Sequence, residues 1–233
     1  WVGLEYRYMP PVARMIERAH AGDVGAMKML SIREHRFPFL PKIGNWNRFN
    51  ESTGGTFVGK CCHFFDLMRF ILQDEPVAVM GMGGQAVNHR SEEYNGRKPD
   101  IFDHGFAVVE FAGGAKAQLD LCMFAEGSEN QEEISLVGDT AKLEVKIPEG
   151  VITHMPRRPK NPTHATGEID ARALAAGSHF GSSFFQHLDF QKAIREGTPP
   201  LVTAYDGRMS VQMGLAVQIS MTERRWVEMS ELV

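Results

Sequence analysis

One stretch determines how the rest of the chain is interpreted: Gly54-Gly55-Thr56-Phe57-Val58-Gly59-Lys60-Cys61-Cys62-His63-Phe64-Phe65-Asp66-Leu67-Met68-Arg69. After its glycine pair, it predicts a helix from Thr56 onward, with Thr53 or Thr56 as the N-cap. Apolar side chains cover most of the helix circumference and continue through residues 70–72. Because a helix that is apolar nearly all round is buried, this stretch predicts a central helix inside the core.

Four polar residues interrupt this apolar surface: Lys60, His63, Asp66 and Arg69. They recur every third residue and therefore form one slanting ridge on the helix. In one interpretation the ridge is the wet side of the helix, with a weak ion pair between Asp66 and Arg69. In the other, Lys60 and His63 face a cleft and handle a proton, because a general base works best near neutral pKa. The ridge pattern leaves both interpretations open.

Composition indicates an ordinary globular protein of 233 residues, 43% of them hydrophobic, with a net charge of −4. This length fits one large domain or two small ones. The scattered basic residues argue against a nucleic-acid or membrane partner, and no apolar run could span a bilayer. Three cysteines make no disulfide framework, which favours a reducing cytoplasm. Because the chain opens at Trp1 without an initiator Met, we expect a fragment whose upstream part is missing.

The order of local patterns predicts an α+β fold. In chain order the patterns are a strand over 1–8, a helix that starts at Pro11, a strand over 27–37, the central helix, strands from 76 onward with turns at 112–114 and 138–140, and helices over 184–196 and 206–225. Consecutive strands joined by short turns make a mostly antiparallel sheet. No strand leads through a G-x-G-x-x-G turn into a helix, since the near match at 81–84 continues into a strand-like run.

Two further features concern surfaces and pockets. Residues 115–123 alternate between polar and apolar side chains, so one sheet face is predicted to be core and the other wetter. The irregular loop over 38–53 mixes Trp46 and Arg48 with several asparagines. Such a loop can shape a pocket for a polar ligand, although Trp46 could equally fill the core.

Four stretches occur in an order and spacing that resemble one known family. They are Tyr6-Arg7-Tyr8-Met9-Pro10, the turn Gly22-Asp23-Val24-Gly25, the segment from Trp46-Asn47-Arg48 through Asp66, and the closing section over 179–197 with Asp206-Gly207. The third is similar to the pattern W-R…G-G-G-x-L-x-(D/E)-x-x-x-H-x-x-D. The likeness extends over nearly the whole chain, which resembles the C-terminal substrate domain of the glucose–fructose oxidoreductase/inositol dehydrogenase (Gfo/Idh/MocA) family.

This resemblance implies an open, mostly antiparallel sheet with helices packed on one face, and a Rossmann domain that is absent from this chain. Residues 1–8 would be a remnant of the last strand of that nucleotide-binding domain, and 9–233 the substrate-binding and oligomerisation domain. The intact protein would use NAD or NADP to oxidise a hydroxyl of a polyol, sugar or cyclitol, while this chain alone would be inactive. The outer sheet face would support a dimer or tetramer.

The resemblance also implies site residues. By position, His63 matches the family's active-site histidine, and Lys60 lies beside it, so both are expected to be catalytic. Four more residues are expected in the wall of the substrate pocket: Arg7, Trp46, Arg48 and His179. The cofactor contacts, and a family lysine from a Glu-Lys-Pro motif, would lie mostly in the nucleotide-binding part.

One position departs from the pattern. Where the family has an Asp or Glu four residues before the histidine, this chain has Gly59. A carboxylate there would share a helix face with His63 and raise its basicity, so its loss predicts impaired or re-routed acid–base catalysis.

Two rival interpretations remain open from the residues. The chain could be a non-catalytic binding or oligomerisation module that keeps the dehydrogenase fold. Alternatively, Cys61, Cys62, His63 and His35 could bind a metal. Adjacent cysteines on a helix point about 100° apart and chelate one ion poorly, so we expect no metal site.

Overall fold

Nine strands form one sheet in the computed structural model, which describes residues 1–166, 171–175 and 179–232. The strands are β1 (Met27–His35), β2 (Pro76–Gly84), β3 (His104–Phe111), β4 (Lys116–Cys122), β5 (Glu132–Gly138), β6 (Ala141–Ile147), β7 (Val151–Pro156), β8 (Thr163–Thr166) and β9 (Val227–Glu228). Their order across the sheet is β8-β7-β6-β5-β1-β4-β3-β2-β9. Only the β1–β4 pair is parallel among these neighbours, so the predicted open, mostly antiparallel sheet is confirmed.

Seven α-helices accompany the sheet in the described part of the chain. They are α1 (Pro10–His20), α2 (Asn50–Thr53), α3 (Thr56–Gly59), α4 (Cys62–Leu72), α5 (Ala171–Ala175), α6 (Ser182–Glu196) and α7 (Ala204–Glu223). Short 3-10 segments occupy Glu5–Tyr8, Ile43–Arg48, His179–Gly181 and Met229–Leu232. None of the helices described is both long enough and apolar enough to cross a membrane.

The helices pack on one face of the sheet. Helix α7 contacts β2, α3 and α4, while α1 contacts β6 and β7. The core between these layers contains large, fully buried side chains that include Phe57, Phe64 and Phe65. On the other sheet face, Phe106 is 59% exposed and Met82 is 68% exposed. The predicted alternation over 115–123 is thus confirmed, with every second side chain of β4 facing the core.

The central helix is broken, which corrects the predicted single helix from Thr56. Helix α3 ends at Gly59 and α4 begins at Cys62. Neither predicted threonine caps it, because the residue before α3 is Gly55, which has a φ of 91°. A Cβ on Gly55 would lie 1.8 Å from the side-chain amide of Gln218, so glycine permits the close approach of α7.

Two further predictions differ from the structure. The expected strand over 1–8 is wrong, since Glu5–Tyr8 form a 3-10 turn. The buried side chains of Tyr6 and Arg7 dock this turn against α4, and they hold it in the helical layer rather than at a sheet edge. The structure also adds β8 and β9, which are short edge strands without enough alternation to be predicted.

Candidate active site

His63 lies in the first turn of α4, where the broken helix faces the 3-10 turn Glu5–Tyr8. Its imidazole stacks on the Tyr6 ring, with centroids 4.9 Å apart and an interplanar angle of 25°. Nδ1 is buried and lies 3.4 Å from Oε2 of Glu5. The side chain keeps 20% exposure, so a ligand that meets a ring nitrogen of His63 meets Nε2.

Lys60 occupies the break between α3 and α4, with its ammonium group directed into the protein. Its Nζ donates to the Tyr6 hydroxyl at 2.9 Å and lies 3.1 Å from Oε1 of Glu34. The Glu34 side chain is fully buried, and Lys60 is only 10% exposed. A buried ammonium ion needs such a carboxylate partner, because its desolvation is otherwise too costly. Lys60 therefore supplies a fixed positive charge beneath His63.

A second buried carboxylate, Glu132, lies opposite Glu34 on the adjacent strand. Its Oε1 accepts hydrogen bonds from Gln131 Nε2 at 2.8 Å and from the Tyr6 hydroxyl at 3.4 Å. Burial, followed by repulsion from Glu34, raises the pKa of Glu132 to about 7, although Lys60 opposes this. Glu34 and Glu132 therefore face each other beside the single ammonium group of Lys60, and Glu132 retains a proton up to about neutral pH.

His179 completes the group of residues around Tyr6. Its ring centroid lies 5.0 Å from that of Tyr6, and its Nδ1 is 3.6 Å from Oε1 of Glu132. Burial, with Lys60 and then Arg36 nearby, lowers the pKa of His179 to about 4. We call this assembly the His63 cluster; it comprises Glu5, Tyr6, Glu34, Lys60, His63, Glu132 and His179.

The protonation state of His63 follows from its surroundings. Burial, and then the positive charge of Lys60 and the neighbouring His179, lower the pKa of His63 to about 3. The imidazole is consequently neutral at physiological pH, with one nitrogen protonated and the other able to accept a proton. Burial also raises the pKa of the Tyr6 phenol well above its usual value, so Tyr6 keeps its proton.

The lower half of the polar ridge has a structural role. Asp66 accepts two hydrogen bonds from Arg7, at 2.7 Å from Nε and 2.5 Å from Nη2. Arg69 instead pairs with Glu75 and Asp206. The interpretation of the ridge as a wet side with an Asp66–Arg69 ion pair is therefore wrong, because Arg7, Glu75 and Asp206 pair with these two charges instead.

The Arg7 network also reaches α7. Arg7 Nη2 lies 3.1 Å from Oδ1 of Asp206, whose carboxylate accepts hydrogen bonds from Thr203 in the capping box of α7. Although burial opposes it, these bonds from Thr203 and the charge of Arg7 lower the pKa of Asp206 to about 2. Arg7 thus ties the 3-10 turn to α4 and α7, and the structure does not place it beside His63 in a pocket wall.

Trp46 and Arg48 lie apart from the His63 cluster. Trp46 is 48% exposed, so it does not fill the core, and it lines a cavity of about 310 Å³ whose wall includes Thr56 and Gly59. Arg48 is buried, and its Nε donates to Glu92 at 2.9 Å. Of the six predicted site residues, the structure brings together His63, Lys60 and His179.

Sequence reasoning missed Glu5, Tyr6, Glu34 and Glu132. A signal for the last two exists, because Glu34 follows Leu30 and Ile32 on the inward face of β1. Glu132 likewise precedes Ile134 and Leu136 on the inward face of β5. An acidic residue at an inward position of an alternating strand indicates a buried, paired carboxylate.

Comparison with known proteins fits this architecture. The family model described as "Oxidoreductase family, C-terminal alpha/beta domain", of the Gfo/Idh/MocA group, matches residues 16–229. This chain belongs to that family. Its sequence is similar to myo-inositol 2-dehydrogenase of Thermotoga maritima, with 25% identity across 100% of this chain and 65% of that protein. It is also similar to scyllo-inositol 2-dehydrogenase (NAD(+)) of Bacillus subtilis, with 24% identity across 92% of this chain and 58% of that protein.

Solved structures share the fold of this family member. A levoglucosan dehydrogenase in complex with NADH and levoglucosan superposes with a TM-score of 0.83 at 19% identity, over 98% of this chain and 65% of that one. An oxidoreductase domain protein from Kribbella flavida gives 0.81 at 21% identity, over 98% and 66%. The chain therefore spans about two thirds or less of the length of the relatives it matches.

Proposed function

We propose that this chain is the substrate domain of an NAD-dependent dehydrogenase that oxidises a hydroxyl group of a cyclitol, polyol or sugar. The observation that carries the proposal is the position of His63 in a chain of this family: a neutral, partly exposed imidazole above a buried ammonium ion. The relatives named as inositol and levoglucosan dehydrogenases support this substrate class.

His63 would handle the proton of the reacting hydroxyl. Because its Nδ1 is buried, the proton would pass to Nε2. The Lys60 ammonium group points into the protein and pairs with Glu34, so it would act on the substrate oxygen as a fixed charge beneath His63 and not as a hydrogen-bond donor to it. With its pKa lowered to about 3 in this chain, His63 is a weaker base than the near-neutral imidazole that suits general-base catalysis best, although it would return its proton to solvent readily.

This chain alone is expected to bind no dinucleotide. The parallel pair β1–β4 is connected through helices and two antiparallel strands, without a glycine-rich turn between a strand and a helix. A nicotinamide, when bound, would accept the hydride, and it would be held by a nucleotide-binding domain. Calorimetric titration of this chain alone with NAD(H) and NADP(H) should therefore show no stoichiometric binding; tight binding would contradict this assignment.

The outer sheet face is the surface that we propose for self-association. Met29 is 61% exposed and Phe106 is 59% exposed, and Val108 lies on the same face. Lys116 and Gln118 contribute polar atoms to this surface. Exposed apolar side chains bordered by polar groups mark surfaces of protein–protein contact, which supports this face as the self-association surface.

Turnover by the full-length protein tests the proposed function. We would assay a panel of cyclitols, polyols and sugars with NAD and NADP, and compare wild type with His63→Asn. Loss of a general base should lower kcat/KM about 10²- to 10⁴-fold. His164→Asn is the matched control, because His164 is exposed on the edge strand β8.

Two outcomes would overturn the proposal. A wild-type rate for His63→Asn would make His63 only structural. Binding of a polyol by the wild-type protein without any turnover would favour the alternative of a non-catalytic module with the dehydrogenase fold.

A further inference from the structure

Gly59 lacks the carboxylate that the family resemblance places four residues before the histidine. The structure shows that this position could not share a continuous helix face with His63, since α3 ends at Gly59 and α4 begins at Cys62. Gly59 instead lines the cavity that contains Trp46. If a carboxylate orients His63 in this protein, it must come from another segment.

Glu5 supplies a carboxylate at the required place. Its Oε2 lies 3.4 Å from Nδ1 of His63, and both side chains are 20% exposed. The adjacent Tyr6 stacks on the imidazole and thereby fixes the plane of the ring. The 3-10 turn that carries both residues is anchored by the buried pair of Arg7 with Asp66, which lies one turn after His63 on α4.

Nδ1 of His63 needs a partner. This nitrogen is buried, and none of the described residues forms a hydrogen bond with it that meets the usual distance and angle criteria. Four groups face the imidazole: Lys60, His179, the Tyr6 ring and Glu5. Lys60 can only donate, the Tyr6 ring lies over the face of the imidazole, and no hydrogen bond joins His63 to His179 among the described residues. Glu5, at 3.4 Å, is therefore the close acceptor for Nδ1. Hydrogen bonds at catalytic groups are often long before substrate binds.

We propose that Glu5 is the positioning residue of His63: its carboxylate accepts a hydrogen bond from Nδ1–H and keeps Nε2 unprotonated, ready to take the proton of the substrate hydroxyl. This inference rests on the proposed function for the direction of proton transfer. Glu5 on the 3-10 turn would thus orient the histidine, whereas the family resemblance places the orienting carboxylate on the central helix, at the position of Gly59.

The electrostatics agree with an uncharged imidazole as the donor and the Glu5 carboxylate as the acceptor. The pKa of His63 is lowered by burial, by Lys60 and by His179, so the ring carries one proton. Burial raises the pKa of Glu5, and the nearby charge of Lys60 opposes that rise. Glu5 therefore orients an uncharged imidazole, and its main effect is on which nitrogen bears the hydrogen.

The test measures the tautomer of His63 and the activity in the full-length protein. Nitrogen-15 NMR of protein labelled at histidine distinguishes Nδ1–H from Nε2–H, and the His63→Asn spectrum assigns the resonance. The wild-type protein should show the Nδ1–H tautomer. Glu5→Ala should give a mixture, with kcat reduced about 10- to 100-fold and KM little changed, because positioning is only part of general-base catalysis.

Three further variants sharpen this test. Glu5→Gln keeps the shape of the side chain and can turn its amide toward Nδ1 as a donor, which would favour the unproductive Nε2–H tautomer. Glu5→Asp retains the carboxylate and should restore part of the Nδ1–H population. Glu17→Gln is the control for the same chemical change, since Glu17 is exposed and pairs with Arg14 on the surface of α1; it should leave both readouts unchanged.

The outcomes separate this inference from the proposed function. If Glu5→Ala and Glu5→Gln both keep the wild-type tautomer of His63, the inference is overturned whatever the activity. If the tautomer changes but the wild-type protein oxidises no polyol, the assignment of Glu5 is supported and the proposed function fails. If Glu5→Ala does not fold, the isosteric Glu5→Gln variant decides.

Discussion

Replacing Glu132 by Gln should make the protein more stable at alkaline pH. The side chain is 3% exposed, and burial beside Glu34 raises its pKa from 4.5 to about 7. A carboxyl whose folded-state pKa is raised stabilises the fold fully only below its unfolded pKa, and that contribution is lost as pH rises through 7. Because glutamine resembles the protonated carboxyl group, the variant should keep this stabilising contribution at high pH.

The size of the effect follows from the two pKa values. The interval between 4.5 and about 7 corresponds to about 3 kcal/mol of free energy of unfolding. The hydrogen bond from Gln131 Nε2 to Glu132 can be kept by the glutamine carbonyl. We therefore expect wild type and Glu132→Gln to be similar at pH 4.5 and to differ by about 2–3 kcal/mol at pH 8.5, with the variant more stable.

Urea unfolding of the 233-residue chain, followed by tryptophan fluorescence from pH 4.5 to 8.5, measures this difference. Titrating groups that do not interact with Glu132 contribute equally to both proteins at each pH, so the difference reports Glu132 together with its neighbour Glu34. Glu133→Gln is the control, because Glu133 is the next residue on β5, one-third exposed, and pairs with Arg33. Parallel stability curves for wild type and Glu132→Gln would refute the inference that Glu132 retains a proton near pH 7.

Three other changes test the fold and the site. Gly59→Glu should fold, since a Cβ at this position would lie 3.4 Å from its nearest neighbour. Steady-state kinetics should show no rise in kcat, because the new carboxylate enters the cavity that Gly59 lines. A rise in kcat larger than the change in stability explains would contradict this. Arg7→Leu or Asp66→Leu alone should cost about 3–5 kcal/mol in urea unfolding, and the double variant less than the sum; additive losses would show the pair is uncoupled. Charge reversal by Lys116→Glu with Gln118→Glu should lower the mass seen by light scattering; an unchanged oligomer or a monomeric wild type would exclude this face.

Local sequence patterns determined most of the elements. The apolar run around Phe64 predicts a buried central helix, and α4 is one. Glycine-containing turns and two-residue alternation predict the hairpins β3–β4 and β5–β6, both of which form. These features depend on periodicity and turn chemistry within a few residues, so they can be predicted without knowing what lies opposite. The position of His63 was likewise available from a motif of fixed spacing.

Only the tertiary structure decided the surroundings of His63. Tyr6 meets Glu132 across 126 residues of sequence, and Glu34 faces Glu132 because β1 lies between β4 and β5. Strand order and register set these contacts, and the identity of neighbouring residues does not reveal them. The partner of Lys60 at the break before α4 was decided in the same way, because Glu34 lies on β1 and cannot be inferred from the helix sequence.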